Sequence, residues 1–149
     1  MNSNERDEIV ETCVRMAWLA DQRRWDQFDE VFADRVHVDY TSLGGGEASD
    51  LTREELVSSW RATLGALDAT QHLTANHLVS VDAQRATCTA SFQATHVRAN
   101  PHGGPLWVLG GDYRFDLART PRGWRIDGLT MTAVWADGNQ HLIGLARDS

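Results

Sequence analysis

Three polar side chains fall on faces that are otherwise apolar, and their types are those of acid–base chemistry. His96 ends the stretch "ASFQATH". Ala86, Cys88, Ala90, Phe92, Ala94 and His96 share one face of that strand, and Thr87, Thr89, Ser91, Gln93 and Thr95 share the other. Such alternation marks one buried and one wet face, and it places the imidazole inward. Asp21 closes a helical stretch and, at about 100° per residue, falls between Val10 and Val14 inside the apolar arc. Tyr40 shares a strand face with Val36 and Val38 in "VHVDY". A fourth group comes from "ATQHLTANH", where Thr70, His72, Thr74, Asn76 and Leu78 alternate with Gln71, Leu73, Ala75, His77, Val79 and Val81. His77 is on the more apolar of these faces, and the pattern does not choose between it and His72.

Each residue has a structural alternative. An inward histidine or tyrosine is often a hydrogen-bonded core residue, and Asp21 could cap a helix starting near Arg24. Together they are better explained by one another. A buried carboxylate is costly unless paired, and a carboxylate that accepts from one ring nitrogen of a histidine leaves the other free as a base. Asp21 and His96 are the expected pair, with a second histidine available as general acid or base.

The elements that must position these groups follow from periodicity. Residues 5–21 read as a helix with Ile9, Val10, Cys13, Val14, Met16, Ala17 and Ala20 on its apolar side. A short helix follows in "RWDQFDEVFAD", then the strand "VHVDY". The glycine-rich "TSLGGGEASD" reads as a loop. Thr52 and Glu55 form a capping box, with Leu51 and Leu56 as its hydrophobic staple, and start a third helix. Beyond residue 68 strands take over, at about 70–81, 85–99, 105–119 and 123–135, broken at Ala83-Gln84, "NPHGGP" and "RTPRGW". In the third of these, Trp107, Leu109, Gly111, Tyr113, Phe115 and Leu117 share a face. Three helices before long one-faced strands predict a single α+β domain over 1–149, its curved antiparallel sheet enclosing a pocket under the helices.

The 149 residues carry a net charge of −7, with 42% hydrophobic and 23% charged side chains. No cluster of Lys or Arg offers a surface for nucleic acid or anionic lipid. No apolar run reaches the length of a membrane span, and the acidic start "MNSNERDEIVE" does not read as a signal peptide, so a cytoplasmic protein is expected. Cys13 and Cys88 lie on apolar faces and read as buried free thiols, without zinc-type spacing. Trp18, Trp107 and Trp124 read as core.

The segments "WLADQRRWDQFDEVFADRVHVDY", "TQHL" and "ATHVR" resemble scytalone dehydratase and its bacterial relatives, in the SnoaL-like branch of the nuclear transport factor 2 superfamily. The resemblance spans about residues 5–135. It implies a cone-shaped, cystatin-like α+β barrel that is nuclear transport factor 2-like, and a homo-oligomer, trimer or dimer. It also implies roles: Asp21 orients His96, His72 rather than His77 moves the proton alpha to a carbonyl, and Tyr40 is one of two tyrosines holding a polarising water. The second tyrosine would precede Asp21, where this chain has Ala20, and Tyr113 could supply that hydroxyl from another wall. Trp135 would close the pocket mouth, and Phe92, Trp107 and Tyr113 would contact substrate.

The expected function is a cofactor-free dehydratase that enolises a small cyclic hydroxy-ketone or polyketide-derived compound, with no metal required. A polyketide cyclase or isomerase would use the same groups without expelling water. A non-catalytic small-molecule binding module is the third alternative.

Overall fold

The computed structural model describes residues 1–99 and 102–143. Asn100 and Pro101, in the expected break "NPHGGP", and residues 144–149 lie outside them. Helix α1 (Ser3–Asp21) begins where the Asn2 side chain accepts from the Glu5 amide. Its buried stripe is Ile9, Thr12, Cys13, Met16, Ala17, Leu19 and Ala20. The helix is therefore rotated from the expected arc: Val14 is 39% and Trp18 59% exposed, and Thr12 is buried with its hydroxyl donating to the Glu8 carbonyl. Trp18 is thus a surface residue, whereas Trp107 and Trp124 are core.

The expected second helix is only a 3-10 turn, Trp25–Glu30, and Phe32 already belongs to strand β1 (Phe32–Asp39). Phe28, Phe32 and Trp60 pack into one aromatic knot that joins this turn to helix α3 (Arg53–Leu64). The Thr52–Glu55 capping box opens α3 as expected. Within "TSLGGGEASD", a single helical turn, α2 (Thr41–Gly44), and a short strand, β2 (Ser49–Thr52), replace the uniform loop. β2 pairs antiparallel with β1, Val36 against Leu51 and Val38 against Ser49. Pairing with an existing strand overrides its weak local β preference.

Strands β3 (Ala69–Asp82), β4 (Arg85–Val97), β5 (Leu106–Thr120) and β6 (Gly123–Gly138) complete a six-stranded sheet in the order β2-β1-β6-β5-β4-β3. All pairings are antiparallel except β1 with β6, which is parallel. The sheet is curved but open, with edges at β2 and β3, rather than a closed barrel. Irregular registers bend it, at 75–78 in β3 and, between β5 and β6, beside Gly110–Gly111 and Asp116–Leu117. At Gly111 a Cβ would run into the Thr132 carbonyl and crowd Phe92, so the residue permits the close approach on which the bend depends. α1 packs against β3, β4 and β6, and the core fills the hollow between helices and sheet.

Candidate functional site

The irregularity in β3 resolves the two histidines. Asn76 adopts φ +60° and interrupts the pairing with β4 between Ala75 and Leu78. Thr70, His72 and Thr74 face inward before it, and His77, Val79 and Val81 after it. Both histidines therefore point to the inner side, but only His72 reaches the cavity. A strict alternation cannot represent a strand that changes parity midway.

β3 is an edge strand, so backbone N–H groups on its outer side need partners. The end of α1 supplies one. Asp21 Oδ2 accepts from the His72 amide at 2.7 Å, and Oδ1 accepts from His72 Nδ1 at 2.7 Å and from the Thr70 hydroxyl at 3.0 Å. Both side chains are nearly buried, 12% exposed for Asp21 and 11% for His72. Arg23, at φ +58°, turns the chain out of α1. Its guanidinium donates to the Gly65 and Leu67 carbonyls at 2.6 Å each, tying the helix end to the turn that begins β3. The carboxylate thus holds His72, not His96 as the sequence suggested, and it does not cap the following turn. The Thr70 hydroxyl, two residues before His72 on the same face, completes the arrangement; the only hint of it in the sequence was that shared parity.

His96 is held differently. β4 is an interior strand, and His96 sits opposite Trp107 of β5. His96 Nδ1 lies 3.1 Å from the Trp107 carbonyl oxygen. A carbonyl only accepts, so Nδ1 carries the proton and Nε2 presents a lone pair. The carboxylate facing His72 likewise places a proton on its Nδ1. The two rings meet edge to face, centroids 6.0 Å apart. Burial is the main cause that pushes His96 below the ordinary imidazole value, helped by the charge on His72 and opposed by the Trp107 bond and by Asp21.

That shift has a consequence for stability. Below about pH 6.5 the unfolded chain takes up a proton at position 96 that the folded chain resists, so stability is fully present above that pH and falls as pH drops through it. His96→Asn, which keeps a donor for the Trp107 carbonyl, is expected to flatten the dependence of Tm on pH between about 7 and 5. An unchanged slope would mean that His96 titrates freely.

Both histidines open onto a cavity of about 230 Å³. Tyr40, Phe92, Trp107 and Tyr113 line it with them, from the end of β1, from β4 and, for the last two, from β5. No lysine, arginine, aspartate or glutamate is among the described residues that line it. Phe92 stacks on Tyr113 with centroids 4.3 Å apart. Burial pushes the hydroxyl of Tyr40 well above the ordinary phenol value, against a smaller opposing effect of the Trp60 indole N–H bonded to it. Burial does the same for Tyr113, reinforced by the neighbouring Tyr40 and Asp21. Both therefore stay protonated and able to donate. Ser59 and Thr63 of α3 add two hydroxyls that the pattern analysis did not single out, and Leu43 and Ile143 stand toward a wider vestibule.

Trp135 does not reach this cavity. It is 49% exposed and covers Gly110, whose missing side chain leaves room for the indole. Gly110 has the opposite parity to Leu109 and Gly111, so this packing is on the outer face of the sheet. The expected role at the pocket mouth is thus taken away from Trp135. Ala20, where the resemblance placed a second tyrosine, contributes a buried methyl to the wall.

Comparison with known proteins gives a consistent picture. The Kfla4162 protein of Kribbella flavida, a solved structure, superposes with a TM-score of 0.90 at 30% identity, covering 95% of this chain and 97% of that one. A scytalone dehydratase-like protein of Novosphingobium aromaticivorans superposes with a TM-score of 0.76 at 14% identity, covering 91% and 88% of the two chains. The uncharacterised protein Rv2910c of Mycobacterium tuberculosis is 32% identical over 124 residues, 83% of this chain and 81% of that protein. The curved open sheet is that of nuclear transport factor 2-like proteins. Residues 1–130 match the SnoaL-like domain, and with the fold, the cavity and these relatives in agreement the chain belongs to the SnoaL-like family.

Proposed function

We propose that the protein is a dehydratase acting by acid–base catalysis on a small, uncharged cyclic hydroxy-ketone. The observation that carries this reading is the Asp21–His72 pair at 2.7 Å, set against a cavity whose described lining residues include no Lys, Arg, Asp or Glu. His72 Nε2 removes the proton alpha to the carbonyl. Asp21 stabilises the imidazolium that forms, and the carbonyl oxygen, becoming an enolate, accepts a hydrogen bond from Tyr40 or Tyr113. The His72 imidazolium then returns its proton to the beta hydroxyl as the carbon–oxygen bond breaks. The products are an enone and one water, and His72 is again neutral. His96 Nε2, a lone pair in a dry wall, accepts from a substrate hydroxyl and orients it.

Several features support this reading. Charge develops on the imidazole and on the carbonyl oxygen along the reaction, in surroundings where a preorganised carboxylate and phenols act with little screening. Dehydratase-like structures are among those sharing the fold. Ala20 favours a second reading: with one phenol absent from its family position, the same enolising pair could serve an isomerase or a polyketide cyclase.

Mass analysis of products from a panel of cyclic hydroxy-ketones separates the readings. Loss of one water is the expected result; a product of unchanged mass would replace dehydration by isomerisation, and binding without conversion would leave a binding module. Tyr113→Phe is expected to lower kcat about tenfold to a hundredfold with a smaller change in KM, because its hydroxyl acts on charge that develops during the reaction. An unaltered kcat would assign that task to Tyr40 alone.

A further inference from the structure

The cavity is not the whole of the enclosed space. Val38, Tyr40, Leu43, Leu51, Trp107 and Ile143 line both it and the vestibule outside it, so no wall separates the two. The vestibule measures about 620 Å³ against about 230 Å³ for the cavity. A compact ring that occupies the cavity therefore leaves the larger part of one continuous space unfilled. The shared lining is mostly apolar, and Leu43 is 47% exposed there. Glu47, Gln140 and His141 line the vestibule but not the cavity, and all three are exposed, so the outer rim is polar.

Both sides of the vestibule are held by side-chain hydrogen bonds. On one side, Asp39 Oδ1 accepts from the Thr41 amide at 3.0 Å and from the Thr41 hydroxyl at 2.7 Å, which starts the turn of α2. The Ser42 hydroxyl donates to the Met131 carbonyl and accepts from the Ala133 amide, at 2.9 Å each, and so fastens that turn to β6. Leu43 follows directly and is thereby fixed at the boundary of the two spaces. On the other side, the Asn139 side chain donates to the Gly104 carbonyl and accepts from the His141 amide, at 3.1 Å each. Leu142 is fully buried beyond it, and Ile143 stands at the vestibule. Apolar side chains fixed against water are unfavourable until an apolar group covers them.

We infer that the substrate is a ring ketone carrying a linear, uncharged apolar chain, with the ring in the cavity against His72 and His96 and the chain along the vestibule between Leu43 and Ile143. Tyr40 and Trp107, which line both spaces, flank the point where the chain leaves the ring. Glu47 at the rim disfavours a carboxylate at the end of the chain. The ketone rests on the proposed function; the place for the chain is read from the vestibule.

The test is titration calorimetry on the full chain with cyclohexanones that bear linear substituents from methyl to hexyl. These ketones have no hydroxyl to lose, so the measurement stands even if the protein proves not to be a dehydratase. A flat series, in turn, leaves dehydration of an unsubstituted ring untouched. The expected result is a Kd that falls about threefold with each added methylene until the chain reaches the rim. Affinity that is constant or falls along the series overturns the inference. Gly44→Trp then fills the vestibule. A Cβ at Gly44 meets nothing within 4 Å, and the residue is not in the left-handed region, so the fold and Tm should be kept. The gain per methylene should disappear. Leu43→Asp, at an exposed side chain, should abolish it as well. A gain that persists in either variant puts the chain elsewhere and overturns the inference.

Discussion

His72→Asn should remove nearly all turnover while leaving the fold intact. The replacement is chosen for its geometry: the asparagine amide nitrogen stands close to where Nδ1 stands, so it can still donate to Asp21 Oδ1, now at 2.7 Å from the ring. The backbone bond from residue 72 to Asp21 Oδ2 is also kept. Only Nε2, the basic nitrogen, is lost. A positioned general base contributes about 10²- to 10⁴-fold, and a fall of that size in kcat is expected on any hydroxy-ketone that the product assay identifies. The Tm should move by only a few degrees. His72→Gln is the complementary control, since its amide sits nearer the Nε2 position and forfeits the Asp21 bond. A kcat within a few-fold of the wild type in His72→Asn would remove His72 as the base and return the choice to His96.

The extent to which this site could be read from the chain is instructive in its particulars. The inward faces of β4 and β5 were plain, because both are interior strands whose buried side chains alternate, with only the side-chain-free Gly110 out of phase in β5. His96, Phe92, Trp107 and Tyr113 all follow from that alternation. β3 was harder. Its parity changes at Asn76, and no alternating pattern survives a residue inserted out of phase. The partner of Asp21 could not be read at all. It depends on which strand lies at the sheet edge with an unpaired amide, and that is a property of strand order rather than of local sequence. The exposed tryptophans have a similar origin. Trp18 was expected in the core and Trp135 at the pocket mouth, but the rotation of α1 and the register shift beside Gly110 turn them outward. Strand β2 exists only because β1 offers an edge for "SDLT" to pair with.

Asp21→Asn should be nearly as damaging to catalysis, for a reason that concerns a single proton. Asp21 accepts three hydrogen bonds, and one donor, the His72 backbone N–H, cannot change its role. An asparagine must therefore keep its carbonyl oxygen toward that amide and turn its NH₂ toward the imidazole. The ring then has to accept at Nδ1, and its proton moves to Nε2, where the base should be. The Thr70 hydroxyl can rotate to accept instead, so the network stays satisfied and the fold survives. The expected result is a loss of about 10²- to 10⁴-fold in kcat at nearly constant Tm, with nitrogen NMR of His72 reporting the inverted tautomer. Asp21→Ala differs in kind. It leaves the His72 amide and the Thr70 hydroxyl without partners in a nearly dry site, which costs about 2–5 kcal/mol of stability. Catalysis and stability would thus separate between two substitutions at one residue. If Asp21→Asn retains wild-type kcat, or its NMR spectrum shows the proton still on Nδ1, the carboxylate holds only the fold of this corner, and the dyad has no part in the reaction.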